Sequence, residues 1–384
     1  MSAIRRDFIN QFRCRLFLGI TLAVALSGSG GGTLAADRKV SNLREDETVL
    51  FFPTCGWRDE KSKDWNLPVH GCVYEVERRR LAIGAVLEAT ELRNNELSAE
   101  EKAVLAERTR LFLVDNQGGK RIVVEVGATC ITLEKSTSDG QFRGLIRLRD
   151  RELSQLQEFD NLGQRVLRFK LLLPSVDTRV FTGTVHLAGE DGVTVISDID
   201  DTIKHTQVKD RRAMVRSTFL EPFRPVPGMA DLYRKWQANS GAQIWYVSAS
   251  PWQLFSPLSE FLGESGFPAG PVSLKSVQLT GKTFFDLFKD PDQFKKSAIE
   301  PIVERFPDRK FVLVGDSGER DPEIYGELAR KYPNKIVSIL IRKTTSDPAD
   351  AGRYHEAFRD LPPEHWRVFS NPSEISGLVP AGSR

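Results

Sequence analysis

Two aspartates, Asp198 and Asp200, lie two residues apart in the run Ile-Ser-Asp-Ile-Asp-Asp-Thr, directly after an apolar stretch. Such a pair can divide the work of phosphoryl transfer. One carboxylate attacks phosphorus and carries the phosphoryl group, while the other protonates the leaving oxygen and later deprotonates water. Mg²⁺ would offset the repulsion between carboxylate and phosphate. An isolated Asp-x-Asp more often caps a turn, so the hypothesis depends on what else the chain brings to the same place.

Polar residues also follow two later apolar stretches. Ser248 comes directly after Gln243–Val247, and its hydroxyl and backbone amide are suited to a phosphate oxygen. Asp316 and Asp321 follow the stretch 310–314 and offer further hard oxygen ligands for Mg²⁺. We therefore expect a magnesium and phosphate site that combines Asp198, Asp200, Asp316 and Asp321 as metal ligands with Ser248 on the phosphate.

A lysine near the start of the helical stretch 293–306 would add a cation for the phosphate. Lys295 and Lys296 are rival candidates, and a solvated helix charge is the ordinary interpretation of either. Ile299 and Ile302 set the buried face of this stretch. Because that face puts Lys295 beside the strand ends, Lys295 is the preferred phosphate ligand.

These residues require a framework of parallel strands and helices. After Gly192 the sequence alternates apolar strands with helical stretches, which is typical of an α/β fold with a parallel sheet. Ligands in such sheets bind beyond the carboxyl ends of the strands, so the polar strand endings should converge. The predicted strands are Val193–Ser197, Gln243–Val247, Lys310–Val314 and Lys335–Ile341, and the predicted helices are Met229–Asn239, Phe255–Leu262, Gln293–Phe306 and Pro322–Lys331.

The part before this framework has a different pattern. Residues 37–190 are predicted to form a smaller β-rich domain, a sandwich or partial barrel, that precedes a catalytic domain at 191–345. Ser98 and Glu101 have the spacing of a capping box, which predicts a helix over Leu97–Leu105. The predicted strands are Val49–Phe52, Leu111–Val114, Arg121–Val126, Leu145–Leu148, Val166–Leu173 and Val180–Leu187. The polar extension 346–384 is expected to cover a sheet edge or to fray.

The N-terminal residues resemble a targeting segment. Basic residues precede the apolar run Leu16–Leu26, and small residues follow as far as Ala36. This pattern predicts a signal peptide over residues 1–36 and a periplasmic or extracellular protein, with a membrane anchor as the alternative. In an oxidising compartment Cys55 and Cys72 would be candidates for a disulfide across an intervening loop. With 54 basic and 52 acidic residues, the chain lacks the charge excess of a nucleic-acid-binding protein.

The motifs together resemble a known family. Asp198-x-Asp200-x-Thr202, Ser248, Lys295, and Gly315-Asp316 with Asp321 are similar to the four signature motifs of the haloacid dehalogenase superfamily. Two segments more narrowly resemble the catalytic domain of the actin-patch-protein type of phosphatidate phosphatase. They are Tyr-Val-Ser-Ala-Ser-Pro-Trp-Gln-Leu and Val-Gly-Asp-Ser-Gly-Glu-Arg-Asp-Pro-Glu-Ile-Tyr. This resemblance covers about Asp191 to Arg342.

The resemblance implies a Rossmann-like core and Mg²⁺-dependent hydrolysis of phosphatidate to diacylglycerol and phosphate. It implies that Asp198 is the nucleophile and a metal ligand, that Asp200 is the acid and base and binds metal through its backbone carbonyl, and that Ser248 and Lys295 bind phosphate. Asp316 and Asp321 would complete the metal site. The alternatives are an exported phosphatase for a soluble phosphomonoester and a non-catalytic envelope-interaction protein.

Two further segments bear on the substrate. Aromatic residues at 252, 255, 261 and 267 and in the run Thr283–Phe288 could receive acyl chains or touch a bilayer, or could simply pack on the core. The basic run of Lys204, His205, Lys209, Arg211 and Arg212 could attract an anionic headgroup, and its alternative is a solvated face. Peripheral membrane contact is therefore expected only if these segments face the lipid.

Overall fold

The described strands fall into two sheets. The computed structural model describes residues 39–76, 84, 87–88, 92, 94–112, 114–276, 291–344 and 350–380. Strands of the first sheet all lie before residue 190, and most of its neighbouring strands run antiparallel. They are β1 (Glu47–Phe52), β2 (Thr54–Arg58), β3 (Trp65–Val76), β4 (Val114–Asn116), β5 (Val123–Val126), β6 (Thr129–Thr132), β7 (Gln141–Leu148), β8 (Glu158–Phe159), β9 (Arg165–Leu171) and β10 (Thr182–Leu187).

The first sheet surrounds its own apolar core. Its strand order is β1-β3-β2-β10-β9-β5-β6, with β4 and β7 paired to β3 and β8 paired to β9. Side chains two apart on β3, including Trp65, Leu67 and Val69, are buried together, as expected for one face of a pleated strand. The helices α1 (Ala99–Thr109) and α2 (Asp150–Leu156) interrupt the strands. The predicted capping box at the start of α1 is confirmed, with Ser98 and Glu101 each accepting the other's backbone N–H.

The second sheet is parallel and carries the predicted site. Its strands are β11 (Val193–Ser197), β12 (Gln243–Pro251), β13 (Val272–Lys275), β14 (Lys310–Asp316), β15 (Ile336–Arg342) and β16 (Trp366–Phe369), in the order β13-β12-β11-β14-β15-β16. All neighbouring pairs run parallel. The described helices between them are α3 (Arg211–Phe219), α4 (Met229–Ser240), α5 (Phe255–Glu264), α6 (Pro291–Arg305), α7 (Asp321–Lys331) and α8 (Asp350–Ala357). Every residue of β11 is buried, which fits a central strand covered on both faces.

The predicted α/β pattern with a parallel sheet is confirmed, and two predictions in the first part of the chain are wrong. The stretch 111–114 is not one strand, because the 3₁₀ turn Arg110–Phe112 occupies its first two residues. The stretch between Cys55 and Cys72 is not a loop but contains most of β2 and β3. Extending the β2–β3 pairing places Cys55 opposite residue 68, four residues or about 13 Å along β3 from Cys72. The two thiols are free and too far apart for a disulfide.

Aromatic packing and one backbone hydrogen bond join the two sheets. The N–H of Val272, on edge strand β13, donates to the carbonyl oxygen of Pro53 at 3.1 Å. The ring of Phe52 contacts Trp252 and Phe255, with centroid distances of 6.2 and 5.1 Å. The aromatics at 252, 255, 261 and 267 are therefore packing residues, because all four are buried. The run 283–288 lies outside the described residues.

The C-terminal extension covers the other edge of the parallel sheet. Its strand β16 pairs with β15, which confirms the prediction that this segment covers an edge. The predicted signal peptide at 1–36 lies outside the described residues. Within the described ranges, the structure contains no helix of the length and apolarity that crossing a membrane requires.

Candidate active site

The carboxyl ends of β11, β12 and β14 meet around one cavity of about 340 Å³. Asp198 and Asp200 both line this cavity, as the sequence predicted, and Ser250 and Glu319 join them. The other lining residues are Thr206, Val208, Arg211, Met214, Thr218, Ala249, Pro291 and Gly318. The cavity lining thus combines three carboxylates with hydroxyl groups, one arginine and several apolar side chains.

Asp198 is held rigidly at the end of the central strand. Its backbone N–H donates to the carbonyl oxygen of Val314 at 2.9 Å. The hydroxyl of Thr202 donates to its Oδ2 at 3.0 Å, and the ammonium of Lys295 lies 3.1 Å from its Oδ1. Burial raises the pKa of Asp198 well above its ordinary value; Lys295 opposes this rise and neighbouring carboxylates reinforce it. Ionised Asp198 therefore depends on the cation beside it.

Lys295, and not Lys296, points into the site. The Lys295 ammonium lies 2.7 Å from Glu319 Oε2 and 2.5 Å from Asp321 Oδ1, in addition to its contact with Asp198. Its side chain is 1% exposed, whereas that of Lys296 is 36% exposed and pairs with Glu327 on the surface. Burial alone would lower the pKa of Lys295, but the carboxylates around it raise that pKa well above the ordinary value. The lysine is thus a permanent cation among carboxylates.

The loop after β14 completes an oxygen-rich cluster. Carboxylate oxygens of Asp198, Asp316 and Asp321 lie within 4.8 Å of one another, and all three residues are buried. Asp316 Oδ1 accepts from the N–H groups of Gly318 and Glu319, whereas its Oδ2 is buried with no hydrogen-bond partner among the described residues. Burial and the carboxylates of Asp321 and Glu319 raise the pKa of Asp316 well above its ordinary value. An unpartnered buried carboxylate oxygen in such a cluster fits a hard divalent cation such as Mg²⁺.

Asp200 has a different environment from Asp198. Its Oδ1 accepts from the Lys204 ammonium at 2.7 Å and the Thr206 hydroxyl at 2.8 Å. Its Oδ2 accepts from the hydroxyls of Ser248 at 3.0 Å and Ser250 at 2.9 Å. Burial would raise the pKa of Asp200, but Lys204 and these hydroxyl donors outweigh burial and lower it to about 2. The pKa values of the two aspartates are therefore shifted in opposite directions, which is the pattern expected when two carboxyl groups have different roles.

Ser248 lies where the sequence predicted, at the edge of the site beside Asp200. Besides donating to Asp200, its hydroxyl accepts from the backbone N–H of Ser250 at 3.0 Å. The side chain is 1% exposed. A phosphate group in the cavity would therefore compete with Asp200 for the Ser248 hydroxyl.

Sequence reasoning missed several residues of the site. Glu319 lies in the motif between Asp316 and Asp321, but the sequence did not show that its carboxylate contacts the Lys295 ammonium. Lys204 was expected either to attract an anionic headgroup or to lie on a solvated face, yet it is 1% exposed and bound to Asp200. Asp201 adopts a positive φ of 53° and accepts the N–H groups of residues 206, 207 and 208. This turn places Thr206 on Asp200, and no periodic pattern could have shown it.

The rest of the predicted basic run divides between surface and cavity. His205, Lys209 and Arg212 are exposed. Arg211 is also exposed and lines the mouth of the cavity. It begins helix α3, which packs against α1 through an ion pair between Arg216 and Glu101.

Comparison with known proteins supports the resemblance seen in the motifs. Residues 193–343 match the family model described as phosphatidate phosphatase APP1, catalytic domain. Phosphatidate phosphatase APP1 of Saccharomyces cerevisiae is 38% identical over 168 residues, which cover 43% of this chain and 28% of the yeast protein. An uncharacterized protein of Schizosaccharomyces pombe is 33% identical over 172 residues, covering 44% of this chain and 28% of that protein. The chain thus spans little more than a quarter of the length of these relatives. The family-model match contains every predicted site residue.

Proposed function

We propose that this protein is an Mg²⁺-dependent phosphatase that hydrolyses a lipid phosphomonoester, with phosphatidate as the first candidate, through an aspartyl-phosphate on Asp198. The observation that carries this proposal is the contact of Asp198 with Lys295 beside the carboxylates of Asp316 and Asp321, within a segment that matches a phosphatidate phosphatase catalytic domain. The parallel sheet order, with the site at the carboxyl ends of β11, β12 and β14, supports a Rossmann-like core of the haloacid dehalogenase type.

Asp198 is placed to act as the nucleophile. A lone pair on one of its carboxylate oxygens forms a bond to phosphorus while the bond from phosphorus to the ester oxygen breaks. Lys295 keeps Asp198 ionised in its buried position, and its ammonium would also attract the phosphate oxygens. Thr202 fixes the orientation of the attacking carboxylate.

Asp200 is placed to move the protons. With its pKa near 2 it is ionised in the resting site, so it must gain a proton before it can act as the acid. A phosphate dianion entering the cavity raises the pKa of Asp200 by like-charge repulsion and draws the Ser248 and Ser250 hydroxyls away from it. Asp200 then takes up a proton from solvent water and gives it to the leaving alcohol oxygen. In the second half, ionised Asp200 takes a proton from water as the new bond to phosphorus forms and Asp198 is released.

The carboxylates of Asp198, Asp316 and Asp321, with the backbone carbonyl of Asp200, would hold the metal ion. When bound, Mg²⁺ offsets the negative charge of the phosphate and of the carboxylate that attacks it. The unpartnered Oδ2 of Asp316 and the excess of carboxylates over the single ammonium of Lys295 support this assignment. The chain's own residues thus provide the nucleophile, the proton carrier and, in Lys295, a cation beside the nucleophile.

The cavity wall supports an ester with an apolar part. Four apolar residues line the cavity together with the two aspartates: Val208, Met214, Ala249 and Pro291. The exposed Arg211 lines it too. This combination of carboxylates, an arginine and apolar side chains suits a phosphomonoester whose alcohol part is apolar. We further propose that residues 1–36 direct export to the periplasm or extracellular space, where the enzyme acts at a membrane surface without spanning it.

Phosphate release from two substrates tests the proposal. Purified protein is given phosphatidate in mixed micelles or a soluble phosphomonoester, each with Mg²⁺ or with EDTA. We expect Mg²⁺-dependent release with a strong preference for micellar phosphatidate. Release from the soluble ester alone would overturn the lipid assignment and favour a soluble substrate. Release that persists in EDTA would overturn the metal site.

A further inference from the structure

An arginine from the C-terminal extension binds the loop that carries the proposed metal ligands. Arg353 lies on helix α8, beyond the segment 193–343 that matches the family model. One of its terminal nitrogens, Nη1, donates to the carbonyl oxygen of Ser317 at 2.7 Å. The other, Nη2, donates to the carbonyl oxygen of Glu319 at 2.5 Å. The guanidinium therefore bridges two carbonyl groups of the loop that joins Asp316 to Asp321.

Arg353 is itself fixed by an acidic partner on helix α7. Its Nε and Nη2 donate to the two carboxylate oxygens of Glu323 at 2.8 and 2.9 Å. This two-point ion pair sets the plane of the guanidinium, because the fork of N–H donors matches a carboxylate in only a few orientations. Burial would raise the pKa of Glu323, but Arg353 outweighs burial and lowers it, so the pair is ionised at neutral pH. The Arg353 side chain is 25% exposed and lies behind the site.

The loop between Arg353 and the site uses its carbonyl groups on one side and its N–H groups on the other. Its carbonyl groups point to Arg353, while the N–H groups of Gly318 and Glu319 point to Asp316 Oδ1. Those N–H donors occupy Oδ1 and leave Oδ2 of Asp316 without a hydrogen-bond partner among the described residues. The orientation of the loop thus decides which oxygen of Asp316 remains for a cation. It also places the Glu319 carboxylate on the Lys295 ammonium.

We propose that Arg353 is a positioning residue for the metal-binding carboxylates, and that the C-terminal extension is therefore part of the catalytic unit. Arg353 fixes the peptide groups of residues 317–319, and through them the rotamer of Asp316 and the position of Glu319. Groups that orient metal ligands from behind typically change metal affinity or activity by about 10- to 100-fold when they are removed. This inference rests on the proposed function for its activity readout, but its metal-binding readout is independent of the substrate.

Four variants of the full chain test the inference: Arg353→Lys, Arg353→Met, Glu323→Gln and the control Arg359→Met. Lysine keeps the charge but cannot bridge two carbonyl groups and a carboxylate in one plane. Arg359 lies on the same segment, its side chain is 68% exposed, and it forms ion pairs with the exposed carboxylates of Glu356 and Asp360. For each variant, Mn²⁺ binding is measured by electron paramagnetic resonance, melting temperature without metal by calorimetry, and phosphate release over a range of Mg²⁺ concentrations.

We expect Arg353→Lys to remain folded and to bind Mn²⁺ about tenfold more weakly than wild type, with an equal rise in the Mg²⁺ concentration for half-maximal release. Glu323→Gln should show a smaller change in the same direction, and Arg359→Met should match wild type. If Arg353→Met fails to fold, the lysine and glutamine variants still decide the matter. Unchanged Mn²⁺ affinity in folded Arg353→Lys would overturn the inference. If wild type bound Mn²⁺ but released no phosphate, the proposed function would fail while the positioning role would still be measurable.

Discussion

Replacing Lys295 with methionine should reveal how strongly the site depends on one buried cation. The Lys295 ammonium contacts Asp198, Glu319 and Asp321 within 3.1 Å, and its side chain is 1% exposed. Asp316 lies in the same carboxylate cluster. Methionine has a similar length but no charge, so the substitution leaves these carboxylates buried without a nearby cation.

In metal-free protein we expect Lys295→Met to lower the free energy of unfolding by about 3–5 kcal/mol at neutral pH, the usual cost of removing one partner from a buried ion pair. The neighbouring Lys296→Met is the matched control, because Lys296 pairs with Glu327 at the surface. An exposed pair contributes about 0.2–1 kcal/mol, so the control should lose no more than that. Chemical denaturation monitored by circular dichroism measures both losses.

The loss caused by Lys295→Met should depend on pH and on Mg²⁺. Burial raises the pKa values of Asp198 and Asp316 in the folded protein, and Lys295 opposes that rise. Without the lysine these pKa values rise further, so the variant takes up more protons when it folds and its stability falls as pH increases. The deficit should therefore be smaller at pH 5 than at pH 8, and Mg²⁺ should reduce it at both. A variant no less stable than Lys296→Met, or a deficit that does not change with pH, would refute the account of the site.

Three other predictions concern the fold around the site and the first sheet. Burial lowers the pKa of His186 to about 4. As pH falls from 6.5 to 4, the wild type should therefore lose up to about 3 kcal/mol of stability relative to His186→Gln. Urea denaturation measures this loss, and parallel curves of stability against pH for the two proteins would contradict the prediction. Asp201→Ala removes the acceptor of three backbone N–H groups at a residue with φ of 53°. The substitution should lower the free energy of unfolding by about 3 kcal/mol in the same assay. A loss below about 1 kcal/mol would show that the turn is stable without these hydrogen bonds. Because Cys55 and Cys72 are free thiols in the structure, dithiothreitol should leave the melting temperature unchanged, whereas a drop on reduction would reveal a disulfide.

The parallel sheet was predictable because its strands are buried on both faces. Strand β11, Val193–Ser197, has a β-branched residue at four of its five positions, and its boundaries were predicted without error. The polar residues that end β11 and β14 could be assigned to one site because parallel strands must end at the same edge. Strand β3 was missed because Pro68 and Gly71 are residue types that are uncommon inside strands, although pairing with several neighbouring strands stabilises β3.

The residues that tune the site were hidden for another reason. Lys204 reaches Asp200 only because Asp201 turns the chain with a positive φ, and such a turn has no periodicity. Arg353 reaches the loop between Asp316 and Asp321 because helix α8 packs against helix α7, and the sequence suggested no more for this extension than that it covers a sheet edge. Contacts between segments distant in the chain depend on the assembled fold, and local patterns do not record them.

Phosphate release by wild type and Asp198→Asn, measured side by side with phosphatidate and Mg²⁺, tests the central claim most directly. Asparagine keeps the shape of Asp198 but cannot act as the nucleophile, and it removes one buried carboxylate from the cluster. The account predicts that release falls by several orders of magnitude while the metal-free variant is at least as stable as wild type. Near-normal release by a folded Asp198→Asn protein would contradict the assignment of Asp198 as the residue that carries the phosphoryl group.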